Sequence, residues 1–260
     1  MHRFIPTPSF SAVEVGPFTV HLYAICILVG IFIAVGMGRF RYAGRGGNPD
    51  DINEVAAYVI PAGIIGGRIY HVITTPELYF GANGKFLNAF KIWEGGLGIW
   101  GAISFGALVA YILFRVKDFS LTFAQFADAL APGILIAQGV GRFGNWFNGE
   151  LYGSPSKLPW ALSIPGTGQT FHPTFLYEAL GCFISAALIL KVKRFRRLPA
   201  GKTFLLYILM YTSGRIWIEA LRIDNAHLIG GVRLNIWVAG GVFLATLYFY
   251  VRKPKATEIE

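Results

Sequence analysis

The chain has 260 residues, of which 54% are hydrophobic and only 14% charged, a balance that excludes an ordinary soluble domain and points to a polytopic helical membrane protein. The formal net charge is +9, yet the basic residues gather in short connectors and form no groove-sized patch with interleaved aromatics, so no nucleic-acid partner is expected. Thirty-two glycines suit membrane helices that pack backbone to backbone.

Residues 1–16 carry two prolines and no long apolar core, so no cleavable signal peptide is expected. A first span is read over 20–38, opening with His21-Leu22-Tyr23 and followed by Arg39, Arg41 and Arg45. A second, more polar span over 53–73 carries Glu54, Pro61 and Arg68. From 74 to 96 the hydropathy falls and Pro76, Gly81, Asn83 and Gly84 appear, which predicts a surface arm with an interfacial helix over 86–93. Span three is read over 97–114, and span four over 121–140, with Asp128, Pro132 and Gln138 inside it. The segment 142–172 is too polar to span and reads as a small extramembrane head. Spans five, six and seven follow over 174–190, 203–221 and 234–250.

The predicted class is therefore all-α, a single integral membrane domain over 1–260 with about seven transmembrane helices, a head and an interfacial arm. Most arginines and lysines fall in the connectors after spans one, three and five and in the C-terminal tail. By the positive-inside rule these are cytoplasmic, and the N-terminus, arm and head face outward. No internal repeat or low-complexity segment is found, which weakens a transporter built on inverted halves.

Polar chemistry concentrates between Gly141 and Gly153. Continuing the turn of span four puts Gln138, Arg142 and Asn145 on one stripe, and the neighbouring glycines leave room for another molecule. Read alone, this stretch could bind a lipid phosphate, line a water pocket or merely pack. In span six Arg215 and Glu219 are spaced i, i+4, with Arg222 a further turn along. Any one of these charges could be an internal ion pair joining helices. As a set, the arginines outnumber nearby carboxylates and call for an anion, for which a phospholipid head group is the natural choice. His21 and Tyr23 open span one, and His172-Pro173 opens span five with Tyr177 and Glu178 one turn on. Such residues are common interfacial anchors; the functional alternative has Tyr23 or His21 donate to, or relay a proton from, a bound molecule. Cys26 and Cys182 read as small buried hydrophobes, and no histidine and carboxylate cluster has metal spacing, so no metal or organic cofactor is expected.

The stretch Gly141-Arg142-Phe143-Gly144-Asn145, through Asn148-Gly149-Glu150 to Gly153, resembles the signature of bacterial phosphatidylglycerol:prolipoprotein diacylglyceryl transferases. His21-Leu22-Tyr23, the Gly66-Gly67-Arg68 turn, Trp93-Glu94-Gly95-Gly96, His172-Pro173 with Leu176-Tyr177-Glu178, and Gly214-Arg215 with Glu219 and Arg222 agree in order and type. The resemblance implies a multi-pass enzyme of the bacterial inner membrane. Such an enzyme moves the diacylglyceryl group of phosphatidylglycerol to the lipobox cysteine in the signal sequence of a preprolipoprotein, and releases glycerol phosphate. Both substrates would arrive through membrane lipid. Carried over residue by residue, it has Arg142 with Asn145 and Glu150 hold the head group, and Arg215, oriented by Glu219, stabilise thiolate or leaving phosphate. The two arginines could also exchange these roles. Tyr23 completes the polar wall, Arg222 and His172 join the substrate-binding set, and Gly153 is a backbone requirement of the head.

One position departs from the pattern. Many members have a histidine, proposed as the base, where this chain has Trp100 in Gly98-Ile99-Trp100-Gly101. Either His21 or another acceptor takes the thiol proton, or arginine activates the thiol electrostatically. The rival from another class is a lipid- or anion-binding transporter that uses the same arginines without chemistry; it requires a polar path to the cytoplasmic face, toward which only Arg68 and Asp128 hint.

Overall fold

The computed structural model describes residues 4–16, 18–80, 84–92, 95–192 and 198–252. Among them, seven helices of 18 to 26 residues are apolar enough to cross a membrane. At about 1.5 Å per residue they extend roughly 27–39 Å, against a hydrocarbon core of about 30 Å. They are α1 (Leu22–Ala43), α2 (Pro49–Thr74), α3 (Ile99–Val116), α4 (Phe123–Asn148), α5 (Thr174–Lys191), α6 (Lys202–Leu221) and α7 (Leu234–Val251). The seven-span helical class expected from hydropathy is the one found. Large apolar side chains such as Phe32, 75% exposed, and Phe40, 81% exposed, point away from the protein, as lipid-facing residues should.

The chain divides into two compact units, residues 39–126 and residues 1–38 with 127–260. In the first unit α2 is capped by Asn48, whose side chain accepts from Asp50 N at 3.0 Å, with Pro49 in the first helical position. Gly66-Gly67-Arg68, read within span two, lie in α2, which runs through them. Those glycines serve a close crossing, since a Cβ on Gly66 would lie 2.6 Å from the Gly101 carbonyl oxygen of α3.

Of the interfacial helix expected over 86–93, the described residues hold a 3-10 helix over Phe86–Phe90. Among them the arm has one other short 3-10 helix, Pro76–Leu78, while Trp93 and Glu94 lie outside the described residues. Arg68 explains the arm's form. Its Nε donates to Ala89 O at 2.8 Å, its Nη1 to Gly95 O at 2.6 Å and Gly96 O at 3.0 Å, and its Nη2 to Asn88 O and to Lys91 O at 3.3 Å. A guanidinium that satisfies five carbonyls leaves them no need of a regular helix.

In the second unit α1 and α4 meet backbone to backbone. A Cβ on Gly30 would lie 3.0 Å from Ala137 O, and one on Gly133 3.0 Å from Ala34 Cα. Leu135, Cys182, Ala186, Ile189 and Leu206 form a buried core joining α4, α5 and α6. Asp128 caps α6, its Oδ2 accepting from Gly201 N and its Oδ1 from Phe204 N, both at 2.8 Å.

Short strands dress the helix ends. β1 (Ile5–Pro6) lies parallel to β4 (Leu162–Ser163), which pairs antiparallel with β5 (Thr170–Phe171). β2 (Ala12–Val15) and β3 (Phe18–His21) form a hairpin leading into α1, and β6 (Leu228–Ile229) and β7 (Val232–Arg233) form another between α6 and α7. Helix α4 continues to Asn148, beyond the span end expected at 140, so Arg142 and Asn145 are helical rather than part of a loop.

Candidate active site

Three neighbouring helices each bring a charge to one place. On α4, Gln138 and Arg142 face α6: Gln138 Nε2 donates to Tyr207 Oη at 3.2 Å, and Arg142 Nη2 to Tyr211 Oη at 3.4 Å. Equal steps of four residues on both helices mean that α4 and α6 run in the same direction along a shared polar seam.

Glu178 enters that seam from α5. Its Oε2 forms an ion pair with Arg142 Nε, and its Oε1 accepts from Arg215 Nη1 on α6. Only 8% of the residue is exposed, and Oε2, although ion-paired, has no partner in hydrogen-bonding geometry. Glu178, Cys182, Tyr211, Gly214, Arg215 and Trp217 line a crevice along α5 and α6.

The chain of charges continues outward from Arg215, whose Nη2 donates to Glu219 Oε2 at 2.5 Å. Glu219 is fully buried, and its Oε1 accepts from Arg233 Nε at 2.9 Å and Asn235 Nδ2 at 3.0 Å. Arg222 reaches Glu219 Oε2 at 3.5 Å and forms a two-pronged pair with Asp224, at 2.7 and 2.8 Å, while Arg233 Nη2 donates to Asp224 Oδ2 at 3.0 Å. Burial pushes the Asp224 carboxyl up, but the hydrogen bonds and charges of Arg222 and Arg233 outweigh it and hold that carboxyl below the usual aspartate range.

The expected site residues divide accordingly. Arg142, Arg215, Glu219 and Arg222 fall in one cluster. Arg142 Nη1 donates to Asn145 Oδ1 at 3.3 Å, and Glu150 Oε1 accepts from Asn145 Nδ2 and Asn148 Nδ2, both at 3.0 Å. Glu150 therefore positions Asn145 and reaches Arg142 through it. Tyr23 lies against Gly144, where any added Cβ would collide with its ring.

Gly153 meets the backbone role expected of it: its N donates to His172 O at 2.9 Å, it bridges to Arg222, and an added Cβ would stand 2.9 Å from His172 Cβ and 3.1 Å from Leu221 O. His172 stays in the strand region, its Nδ1 3.1 Å from Tyr177 Oη, and Tyr177 Oη accepts from Trp160 Nε1 at 3.1 Å. His21 pairs with Ala12 in the β2–β3 hairpin, its side chain exposed, and among the described residues no hydrogen bond or ion pair links it to the arginines. Trp100 occupies the first turn of α3 in the other unit. Among the described residues, no group of His, Cys, Asp and Glu is placed to hold a metal ion.

Sequence reasoning passed over Glu178, Arg233 and Asn235 as site members. A glutamate one turn inside an apolar span is a signal in itself, because an unpaired charge there is costly. Arg233 and Asn235 gave no such sign, since they reach Glu219 only once the β6–β7 hairpin has closed.

The model of the prolipoprotein diacylglyceryl transferase family matches residues 11–252. A phosphatidylglycerol–prolipoprotein diacylglyceryl transferase of Streptomyces griseus is 49% identical over 97% of this chain and 78% of its own length. Enzymes of the same name from Bifidobacterium adolescentis (47% identical, 98% of this chain, 82% of theirs) and Cutibacterium acnes (48%, 95% and 86%) agree. With so much of the chain matched, and the charged seam built from the residues that carried the resemblance, it belongs to the prolipoprotein diacylglyceryl transferase family.

Proposed function

We infer that this multi-pass membrane protein transfers the diacylglyceryl group of phosphatidylglycerol to the lipobox cysteine thiol of preprolipoproteins. The products are a thioether and glycerol phosphate, in the first step of lipoprotein maturation. The observation that carries the reading is the pair Arg142 and Arg215, presented from α4 and α6 to one buried carboxylate beside a crevice. Two guanidiniums in a site of low dielectric suit a phosphodiester that gains charge as its carbon–oxygen bond breaks, because fixed donors act most strongly where charge develops away from water. Asn145, held by Glu150, and Arg215, held by Glu219, keep their direction as the lipid enters, so little reorganisation is needed at the moment of reaction. Tyr23 forms the wall beside Gly144. The protein sits in the bacterial cytoplasmic membrane with its N-terminus outside and its C-terminus in the cytoplasm, and takes lipid and signal sequence laterally from the bilayer.

Arg68 and Asp128, the charges a transporter would need for a deeper polar path, are both committed to backbone groups, which favours chemistry over transport. The test is reconstitution in phosphatidylglycerol vesicles with a lipobox peptide whose mass is followed. The parent should add a diacylglyceryl mass, and Arg142→Ala and Arg215→Ala should each lose activity by about 100-fold or more. A well-folded parent that leaves the peptide unmodified would sink the transferase reading in favour of lipid binding.

A further inference from the structure

The transferase reading leaves a proton without a destination. A cysteine thiol with a pKa of about 8.5 is mostly protonated at neutral pH, and it must become a thiolate to attack carbon. Trp100 has no acceptor to offer, and His21 is not joined to the cluster. We propose that Glu178 is the general base for the substrate thiol, and that the arriving lipid phosphate is what makes it one. This rests on the transferase reading and adds a catalytic residue to it.

The geometry supplies both halves. Glu178 lines the crevice with one oxygen hydrogen-bonded to Arg215 and the other ion-paired with Arg142, so each oxygen regains a lone pair when its guanidinium turns to another anion. The groups facing it are Arg142 on α4 and Arg215 and Tyr211 on α6, with Arg222 just past the end of α6 within electrostatic reach and Cys182 a turn along its own helix. Beyond Arg215, the charges of Glu219 and Asp224 are matched by Arg222 and Arg233. Without lipid, the two inner guanidiniums share one carboxylate. A phosphodiester oxygen pair fits their paired donors, and once they turn to it Glu178 is left beside an anion with its oxygens free to take the thiol proton.

The charges then balance through the step. Before reaction, Arg142 and Arg215 face the Glu178 carboxylate and a phosphodiester monoanion. The sulfur attacks the glycerol carbon, a C–S bond forms, the C–O bond breaks, and its electron pair leaves on the phosphate. That product is a dianion, while the S–H proton on Glu178 makes a neutral acid. Two positive and two negative charges stand in the seam at both ends, so no uncompensated charge is created in the low-dielectric interior. Release of glycerol phosphate returns the arginines to Glu178, and the proton leaves to water.

The experiment compares lipobox peptides carrying cysteine or selenocysteine in phosphatidylglycerol vesicles, for the parent, Glu178→Gln and Glu178→Asp. A selenol is ionised at neutral pH and needs no base. The ratio of the two rates is independent of how much protein is folded. In Glu178→Gln that ratio should rise in favour of the selenocysteine peptide by about 100-fold, the usual contribution of a general base; in Glu178→Asp, which keeps a carboxylate, it should stay within a few-fold of the parent. A ratio unchanged in Glu178→Gln, or no reaction of that variant with either peptide, overturns the proposal and makes Glu178 a positioning residue only. A parent inactive on both peptides would instead overturn the transferase reading itself.

Discussion

Three guanidiniums and an amide converge on Glu219, and its complete burial makes every one of those partners necessary. Removing one member of a buried ion pair leaves the other uncompensated, at a cost of about 3–5 kcal/mol. At the edge of this network Asp224 ties the end of α6 to Arg233. Its carboxyl is held low when folded, so its contribution is present above the ordinary aspartate value of about 3.9 and is lost as pH falls through the lowered one. In detergent, the melting temperature of the parent should therefore fall more between pH 7 and pH 3 than that of Asp224→Asn; equal falls would remove Asp224 from the account. Arg142, Arg215 and Glu219 were legible in the sequence because a charge in an apolar span demands a reason. Arg233 was not, because its partners come from a different element and meet it only after folding.

At the scale of elements, the helices themselves were legible and their ends were not. Hydropathy ends span four near residue 140, yet α4 continues to Asn148 because its polar residues find partners on α5 and α6 instead of water. The glycines of α2 read as the material of close packing, and they permit a crossing. A Cβ on Gly101 would lie 2.8 Å from the Gly66 carbonyl carbon, which is backbone and cannot turn aside. Gly101→Val should lower the melting temperature by roughly 5 °C or more through overpacking, whereas Gly240→Ala, in open space on α7, should leave it unchanged. Equal melting temperatures for Gly101→Val and the parent would show that α2 and α3 do not need this contact.

For the whole molecule, the seven spans and the bias of basic residues are the ground for the orientation proposed above. Lys117, at the end of α3, and Lys157, in the connection between α4 and α5, are both exposed and lie on opposite sides in the orientation proposed above. In right-side-out spheroplasts a membrane-impermeant maleimide should label Lys157→Cys and leave Lys117→Cys untouched until the membrane is opened. The reverse pattern would invert the topology. That orientation puts the charged seam at the outer leaflet, where the cysteine of a signal sequence would reach it. Arg68 has a consequence for descent as well as for folding. By tying residues 88–91 and 95–96 to α2, it closes the arm at its stem, so an insertion ahead of Phe86 lengthens a segment already tied off. Each doubling of such a loop costs only about 0.6 kcal/mol. Evolution is thus free to vary the length and chemistry of the arm while the register of α2 and α3 stays untouched.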